Sequence, residues 1–358
     1  MKRYKLVVSD FHIGTGQLQD DGEVNPLEDF IFDSRFMSFL EYYSSNDFKK
    51  AEVELILNGD FLNTLQVDYH EEFPAEVTED VAVEKIRKIF AGHPELFDAL
   101  AAFAAAPSRR VTYVYGNHDP ALLWPAVREE FNKRLGSEIH YPGFSYVFDG
   151  IWVEHGQQYT AANRIDPARL FIKSKRGEVI LNLPWGCLWV IEYLNPIKKK
   201  RTYIDRIRPF GRYLFLALFF DPRFAVPAVA KLAHFFFKQQ LSHGKWKQWS
   251  EIRRTWEILI NLSIIPLLGK YARKILARPG HHTVIFGHTH QPAFRRYGRE
   301  KLYVNTGTWN DIIHLDFQNL GRTRRMTYAL IDYPDKQRPR TRLKIWKGTH
   351  LTEEDVIF

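Results

Sequence analysis

Residues 284–292 read V-I-F-G-H-T-H-Q-P: a β-branched apolar run, a glycine, then His288 and His290 one residue apart. In an extended segment residues i and i+2 point to the same side, so this pair can face one polar centre. Four other runs close on similar residues: Asp10 and His12 in S-D-F-H, Asp60 in N-G-D, Asn117, His118 and Asp119 in G-N-H-D, and His155 in E-H-G. Together they offer carboxylates, imidazoles and one amide oxygen. That mixture suits divalent Mn, Fe, Zn or Ni and lacks the thiolates of a structural zinc site. Two cations about 3.5–4 Å apart need a bridging ligand. A carboxylate bridges well, and Asp60 is the natural choice, because the glycine before it lets the backbone turn sharply.

Such side chains need elements that end at one place. The runs K-L-V-V-S-D (5–10), V-E-L-I-L-N-G-D (53–60), R-V-T-Y-V-Y-G-N-H-D (110–119) and H-T-V-I-F-G-H (282–288) read as strands. Helical patterns at 34–43 and across 81–106 separate the first three. Alternating strands and helices predict an α/β core, whose sites sit beyond the carboxyl ends of the strands. Antiparallel hairpins are expected at 145–155, around Asp149–Gly150, and at 293–305, around Gly298. Two further strands, 326–333 and 341–346, bring the strand count beyond one sheet layer.

In this order, D-x-H, G-D, G-N-H-D, H-G and G-H-x-H resemble the motifs of the calcineurin-like metallophosphoesterase superfamily. The resemblance spans residues 10–290 and implies a four-layer αββα sandwich over 1–358, with 160–280 as a large helical insertion, a lid or cap. It implies one metal on Asp10, His12, Asp60 and His290, and a second on Asp60, Asn117, His155 and His288. It also places His118 beside the leaving oxygen with Asp119 orienting its ring, and implies attack by a hydroxide bridging the two metals. Manganese is the expected ion pair. The activity implied is hydrolysis of a phosphate ester or pyrophosphate. A helical insertion between H-G and G-H-x-H is similar to that of the UDP-2,3-diacylglucosamine pyrophosphatases, where it receives acyl chains. The chain departs from that branch at His118, where those enzymes carry Arg, and at Gln157, where they carry Asp.

The net charge is +8 over 358 residues, but residues 190–280 hold 18 Lys/Arg against 5 Asp/Glu. The basic character therefore belongs to one segment. Within 180–256 its cations flank apolar, Trp- and Phe-rich runs, such as L-N-L-P-W-G-C-L-W-V-I-E-Y-L-N-P-I-K-K-K-R (181–201) and K-W-K-Q-W-S-E-I-R-R-T-W (245–256). This is the pattern of a protein lying on an anionic membrane surface, and equally that of packed helices with solvated charges. A nucleic-acid groove would need its cations along a polar track, so nucleic acid is not the expected partner. The expected substrate is a phosphorylated small molecule or lipid. Tyr159, Asn163 and Arg164, just past the His155 loop, are candidate substrate contacts or simply a helix start. A single cysteine and no signal-like leader point to the cytoplasm, with contact at the inner face of the membrane. The alternatives are a nuclease or nucleotide phosphodiesterase, and a non-catalytic membrane-surface adaptor that retains the fold.

Overall fold

The computed structural model describes residues 1–19, 21–242, 268–315, 320–334, 338–348 and 354–355. The Trp-rich run at 245–256 lies outside them. In chain order, β1 (Arg3–Val8) leads through α1 (Asp33–Tyr42) to β2 (Glu52–Asn58). Next come α2 (Glu79–Gly92), α3 (Pro94–Ala105), β3 (Arg109–Val114), α4 (Pro125–Leu135), β4 (His140–Gly143), β5 (Ser145–Phe148) and β6 (Ile151–Glu154). The segment that follows holds β7 (Phe171–Lys173), β8 (Val179–Leu181), α5 (Trp185–Trp189), a π-helical turn (Val190–Leu194) and α6 (Asn195–Lys198). It continues through β9 (Ile207–Arg208), α7 (Phe210–Phe220) and α8 (Pro222–Ser242). After α9 (Gly269–Leu276) come β10 (Thr283–Phe286), β11 (Pro292–Tyr297), β12 (Lys301–Thr306) and β13 (Ile312–His314). The last strands are β14 (Gly321–Thr323), β15 (Thr327–Asp332), β16 (Arg340–Ile345) and β17 (Glu354–Asp355).

Two large sheets carry the fold. The first runs β17-β16-β15-β1-β2-β3-β4 and the second β11-β12-β10-β6-β5. In the first, β1, β2, β3 and β4 are mutually parallel; in the second, β6, β10 and β12 are. Alternation across each strand then sorts the apolar residues. Val7, Ile56 and Val114 of the first sheet meet Ile151, Val153, Ile285 and Val304 of the second. Leu6, Val8, Leu55 and Leu57 face the other way, onto Phe36, Phe39, Ile86, Leu96 and Phe97 of the helices. On the far side, Ala272, Ile275 and Leu276 of α9 pack on Val284, Phe286 and Tyr303. The result is the expected α/β sandwich of four layers, αββα. Fully burying one such Val, Leu, Ile or Phe side chain contributes about 1.5–3 kcal/mol.

Both expected hairpins form, β5–β6 and β11–β12, as does the β15–β16 pair. The helical pattern over 81–106 divides into two helices at His93, with Pro94 opening α3. Proline lacks the N–H that would continue the ladder and pushes the preceding residue out of helical backbone. Thr78 Oγ1 accepts the Val81 N–H at the start of α2, the usual use of a threonine before a helix.

The segment after β6 has an apolar cluster of its own. Cys187, Val190, Ile191, Tyr193, Leu194, Ile197, Phe210 and Leu214 pack together and onto Leu65 of the β2–α2 loop. It is tied to the C-terminal part of the chain where β9 pairs with β13. Among the described residues, no helix is long and apolar enough to cross a membrane.

Candidate metal centre and its cavity

Parallel pairing decides where the motifs end up. Since β1, β2 and β3 run one way in one sheet and β6 and β10 run together in the other, their carboxyl ends share one edge of the sandwich. Asp10, Asp60, Asn117, His155 and His288 are the residues just beyond those ends. Five of the gathered residues hold left-handed backbone: Asp10, His12, Asp60, His288 and His290, with φ of 57°, 54°, 51°, 69° and 59°. Non-glycine residues rarely adopt that region, and it concentrates at functional sites, where the surrounding structure must hold it. Two neighbouring glycines are dictated by space. A Cβ on Gly59, itself at φ +75°, would lie 2.6 Å from the His155 ring, and one on Gly287 would lie 2.6 Å from Asp10 Oδ2.

The two carboxylates are aimed by hydrogen bonds. Asp60 Oδ1 accepts the backbone N–H groups of Asn117 and His118, both at 2.7 Å. That leaves Oδ2 facing His155 Nε2 at 3.0 Å and His12 Nε2 at 4.0 Å. Asp10 accepts the His288 N–H and the Ser9 hydroxyl, and its Oδ1 lies 3.3 Å from His290 Nε2 and 4.0 Å from His12 Nε2. Asp60 thus reaches both groups of imidazoles with one oxygen. Candidate donors fall into three sets: Asp10, His12 and His290; His12, Asp60 and His118; and Asp60, His155 and His288.

The donors face one another in a way that fits cations. His155 Nδ1 lies 2.9 Å from the Asn58 carbonyl and must carry a proton to donate there. The lone pair of a neutral ring then sits on Nε2, pointing at the Asp60 carboxylate. His12 Nε2 and His290 Nε2 face each other at 3.0 Å. Among the described residues, buried Asn117 Oδ1 and His288 Nδ1 have no hydrogen-bond partner, and His155 Nε2 faces only the Asp60 and Asp10 carboxylates. Buried acceptors left so are costly, and the oxygen and imidazole set matches a pair of divalent cations. The protonation balance carries the same strain. Burial works against a charge on His155, yet the Asp60 and Asp10 carboxylates lift it to about 10, whereas burial and the neighbouring His155 push His288 down to about 3.

Behind the edge, the structure corrects one expected role. Asp119 does not touch the His118 ring. Its Oδ2 accepts from the Tyr113 hydroxyl at 2.8 Å and the Phe61 N–H at 3.2 Å, while Oδ1 accepts from the Gly116 N–H at 2.8 Å. It shapes the loop that carries Asn117 and His118, and burial, with Asp60 nearby, lifts its pKa to about 7. The His118 ring is held instead by Asn63, whose Oδ1 lies 3.1 Å from Nδ1. The amide three residues after Asp60, in G-D-F-L-N, was the available signal.

Of the three candidate substrate contacts, only Asn163 reaches the site, its Nδ2 3.5 Å from His288 Nε2. Tyr159 turns away, donating its hydroxyl to Glu154 at 2.8 Å and stacking on Tyr271. Arg164 bonds the Gln158 carbonyl through Nε and is exposed. Thr160 is the neighbour that reading the loop missed, with Oγ1 3.1 Å from His288 Nε2.

A cavity of about 240 Å³ opens over these residues. His12, Asp60, Asn117, His118, His288 and His290 form its floor. Trp185, Trp189, Val190, Leu194 and Phe210 form an apolar wall, supplied by the segment after β6. Two arginines line it as well. Arg206 is committed to Asp29 and to the Glu28 and Asp29 carbonyls. Among the described residues, Arg208 has no carboxylate partner and bonds the Asp205 and Ile207 carbonyls through Nη1.

A sequence model of the calcineurin-like phosphoesterases matches residues 5–292. No curated protein matches the chain. Among solved structures, a dimetal phosphatase from Danio rerio is 12% identical over 98% of each chain, with a TM-score of 0.37. A putative 5'-nucleotidase from Staphylococcus aureus is 10% identical over 95% of this chain and 53% of that one, with a TM-score of 0.36. Vps29 from Entamoeba histolytica complexed with zinc is 11% identical over 99% of this chain and 98% of that one, with a TM-score of 0.33. The family match covers the whole strand-edge constellation, and the chain belongs to the calcineurin-like phosphoesterases, as a phosphoester hydrolase that depends on divalent metal ions.

Proposed function

We propose that the chain hydrolyses a phosphate ester or pyrophosphate that carries an apolar group, with manganese as the native ion. Asp10, His12, Asp60 and His290 would hold one cation, and Asp60, Asn117, His155 and His288 the other. The observation that carries this assignment is the gathering of Asp60, His155 and His288 on one side and of Asp10, His12 and His290 on the other, with Asp60 Oδ2 facing both His155 Nε2 and His12 Nε2. When bound, the ions supply positive charge for the phosphoryl oxygens and lower the pKa of water near them.

The chain's own residues do the rest. Asp60, fixed by two N–H groups, holds the two donor sets at one spacing. Asn163 and Thr160 flank His288 and are positioned to meet substrate oxygens. His118, as the imidazolium, gives its Nε2 proton to the leaving oxygen as that oxygen's bond to phosphorus breaks and water's oxygen bonds phosphorus, and the ring keeps its Nδ1 proton. The apolar wall excludes water and accepts the substrate's hydrocarbon or aromatic part, and Arg208 offers a half-buried cation to a second anionic group.

The same reading covers the protein's surroundings. On α7 and α8, Phe215, Phe219, Phe220, Val226 and Phe237 are exposed, with Phe220 at 85%. Lys199, Lys200, Arg223 and Lys231, also exposed, lie in the same segment. Exposed aromatics beside cations fit the surface of an anionic bilayer, so we place the protein in the cytoplasm at the inner face of the membrane. A panel of aryl, nucleotide, cyclic-nucleotide and lipid-linked phosphates, assayed with manganese, tests the reading. Preference for the lipid-linked members supports it. Equal or better turnover of a small hydrophilic phosphate would overturn the substrate assignment.

A further inference from the structure

A buried chain of hydrogen bonds runs from His118 into the segment after β6. Asn63 Oδ1 meets His118 Nδ1 at 3.1 Å, and Asn63 Nδ2 donates to Gln66 Oε1 at 2.6 Å. The same Gln66 oxygen accepts from Lys198 Nζ at 3.1 Å. Gln66 Nε2 donates to Asn195 Oδ1, and Asn195 Nδ2 to the Leu65 carbonyl. Asn63, Gln66, Asn195 and Lys198 are at most 5% exposed. Lys198 is charged among its partners: Asp29 at 2.7 Å, Asp205, and the Leu27 carbonyl at 3.2 Å. Burial works against its charge, but the Asp205 and Asp29 carboxylates raise its pKa.

The chain has a direction, because an ammonium only donates. The Gln66 atom beside Lys198 must therefore be its oxygen. An oxygen there requires the nitrogen end of the Asn63 amide to face it, which turns Asn63 Oδ1 toward His118. That oxygen accepts the Nδ1–H of the His118 ring, which turns Nε2 toward the cavity. Without Lys198 or Gln66 either amide could turn over, and the ring would lose the acceptor that holds it.

We propose that Lys198, through Gln66 and Asn63, sets the orientation of the His118 ring, so that α6 fixes the group that serves the leaving oxygen. These three are positioning residues, and the inference rests on the reading of His118 as the proton donor. It also gives the segment after β6 a part in the chemistry as well as in the cavity wall.

The test compares phenyl phosphate, whose leaving oxygen needs a proton, with 4-nitrophenyl phosphate, which needs it much less. Gln66→Leu keeps Lys198 paired with its carboxylates and breaks the chain. It should lower kcat on phenyl phosphate by about 10-fold more than on 4-nitrophenyl phosphate, with manganese content unchanged. Adding Asn63→Asp should restore much of the loss, since a carboxylate offers His118 an acceptor whichever way it is turned. Lys198→Met should show the same selectivity where it folds, and Gln66→Leu decides the matter where it does not. Equal losses on both substrates, or no rescue by Asn63→Asp, would overturn the proposal. His118→Ala separates the two levels. If it lacks leaving-group selectivity, the proton-donor reading fails; if it is selective while Gln66→Leu is not, only the relay fails.

Discussion

The strand-edge cluster and the segment after β6 line one cavity, yet they are built on opposite principles. At the edge, parallel strands bring charged and polar ends together, and the cost is borne as left-handed backbone and buried donors without partners. In the segment after β6 two buried cations are paired, Lys198 with Asp29 and Asp205 and Arg206 with Asp29, and apolar side chains face the cavity. The edge holds stored electrostatic demand, which cations satisfy. The segment after β6 gives the cavity its apolar wall. On the proposed reading, reaction type and substrate preference reside in separable parts of the chain, joined through Asn63, Gln66 and Lys198.

Substitutions can break that division, and the largest effect belongs to the edge. Asp60→Asn should lower turnover of aryl phosphates by roughly 10³-fold or more and reduce bound manganese, because the shared oxygen loses its charge. Wild-type turnover in that variant would remove Asp60 from the centre of the account. Next in size, His118→Ala should lower turnover of phenyl phosphate by roughly 10²–10⁴-fold while manganese stays bound. Metal loss would instead make it a ligand, as its place beside His12 and Asp60 permits.

A smaller effect should come from the cavity wall. Arg208→Gln should raise KM about 10-fold for a substrate with two anionic groups and leave a simple monoester nearly unaffected. An equal change for both would deny Arg208 any part in selectivity. On the outer face, Phe219→Ser with Phe220→Ser should weaken sedimentation with anionic vesicles several-fold without changing turnover of a soluble phosphate. Unaltered sedimentation would detach the membrane reading from α7.

The smallest expected effect concerns stability, on the core side. His93 pairs with Asp33 at 2.8 Å and Glu28 at 3.4 Å, and Glu28 holds the Gly14 and Gly16 N–H groups of the loop beyond His12. Burial opposes a charge on His93, but these carboxylates raise its pKa to about 9. The folded value lies above the unfolded value of about 6.5, so the ion pair stabilises fully below that pH and its contribution is lost as pH rises through about 9. His93→Gln should therefore cost on the order of 2–3 kcal/mol at pH 6 and little at pH 10, measured by urea unfolding. A penalty independent of pH would show that His93 acts by packing alone.

Much of the edge was legible because each donor stands directly after a β-rich run, where pairing leaves it no choice of place. Asp60 after Gly59 and His288 after Gly287 are of this kind. Behind the edge only Asn63, three residues after Asp60, carried a signal. Gln66 and Lys198 look like ordinary loop and helix polar residues, and only tertiary packing brings together positions more than a hundred residues apart. Arg164 and Arg208 show the same limit. Both are arginines near the right elements, but hydrogen bonding turns one to the surface, and β9 pairing sets the other in the cavity wall. The break at His93–Pro94 was written in the sequence as a proline, though the apolar periodicity continued across it.

The central claim is that one Asp60 oxygen joins two cations. Manganese-loaded protein, dialysed against metal-free buffer and examined by metal analysis and electron paramagnetic resonance, tests it most directly. The account predicts two manganese ions per chain with the signature of an exchange-coupled pair. One ion per chain, or two that behave as isolated spins, would contradict it.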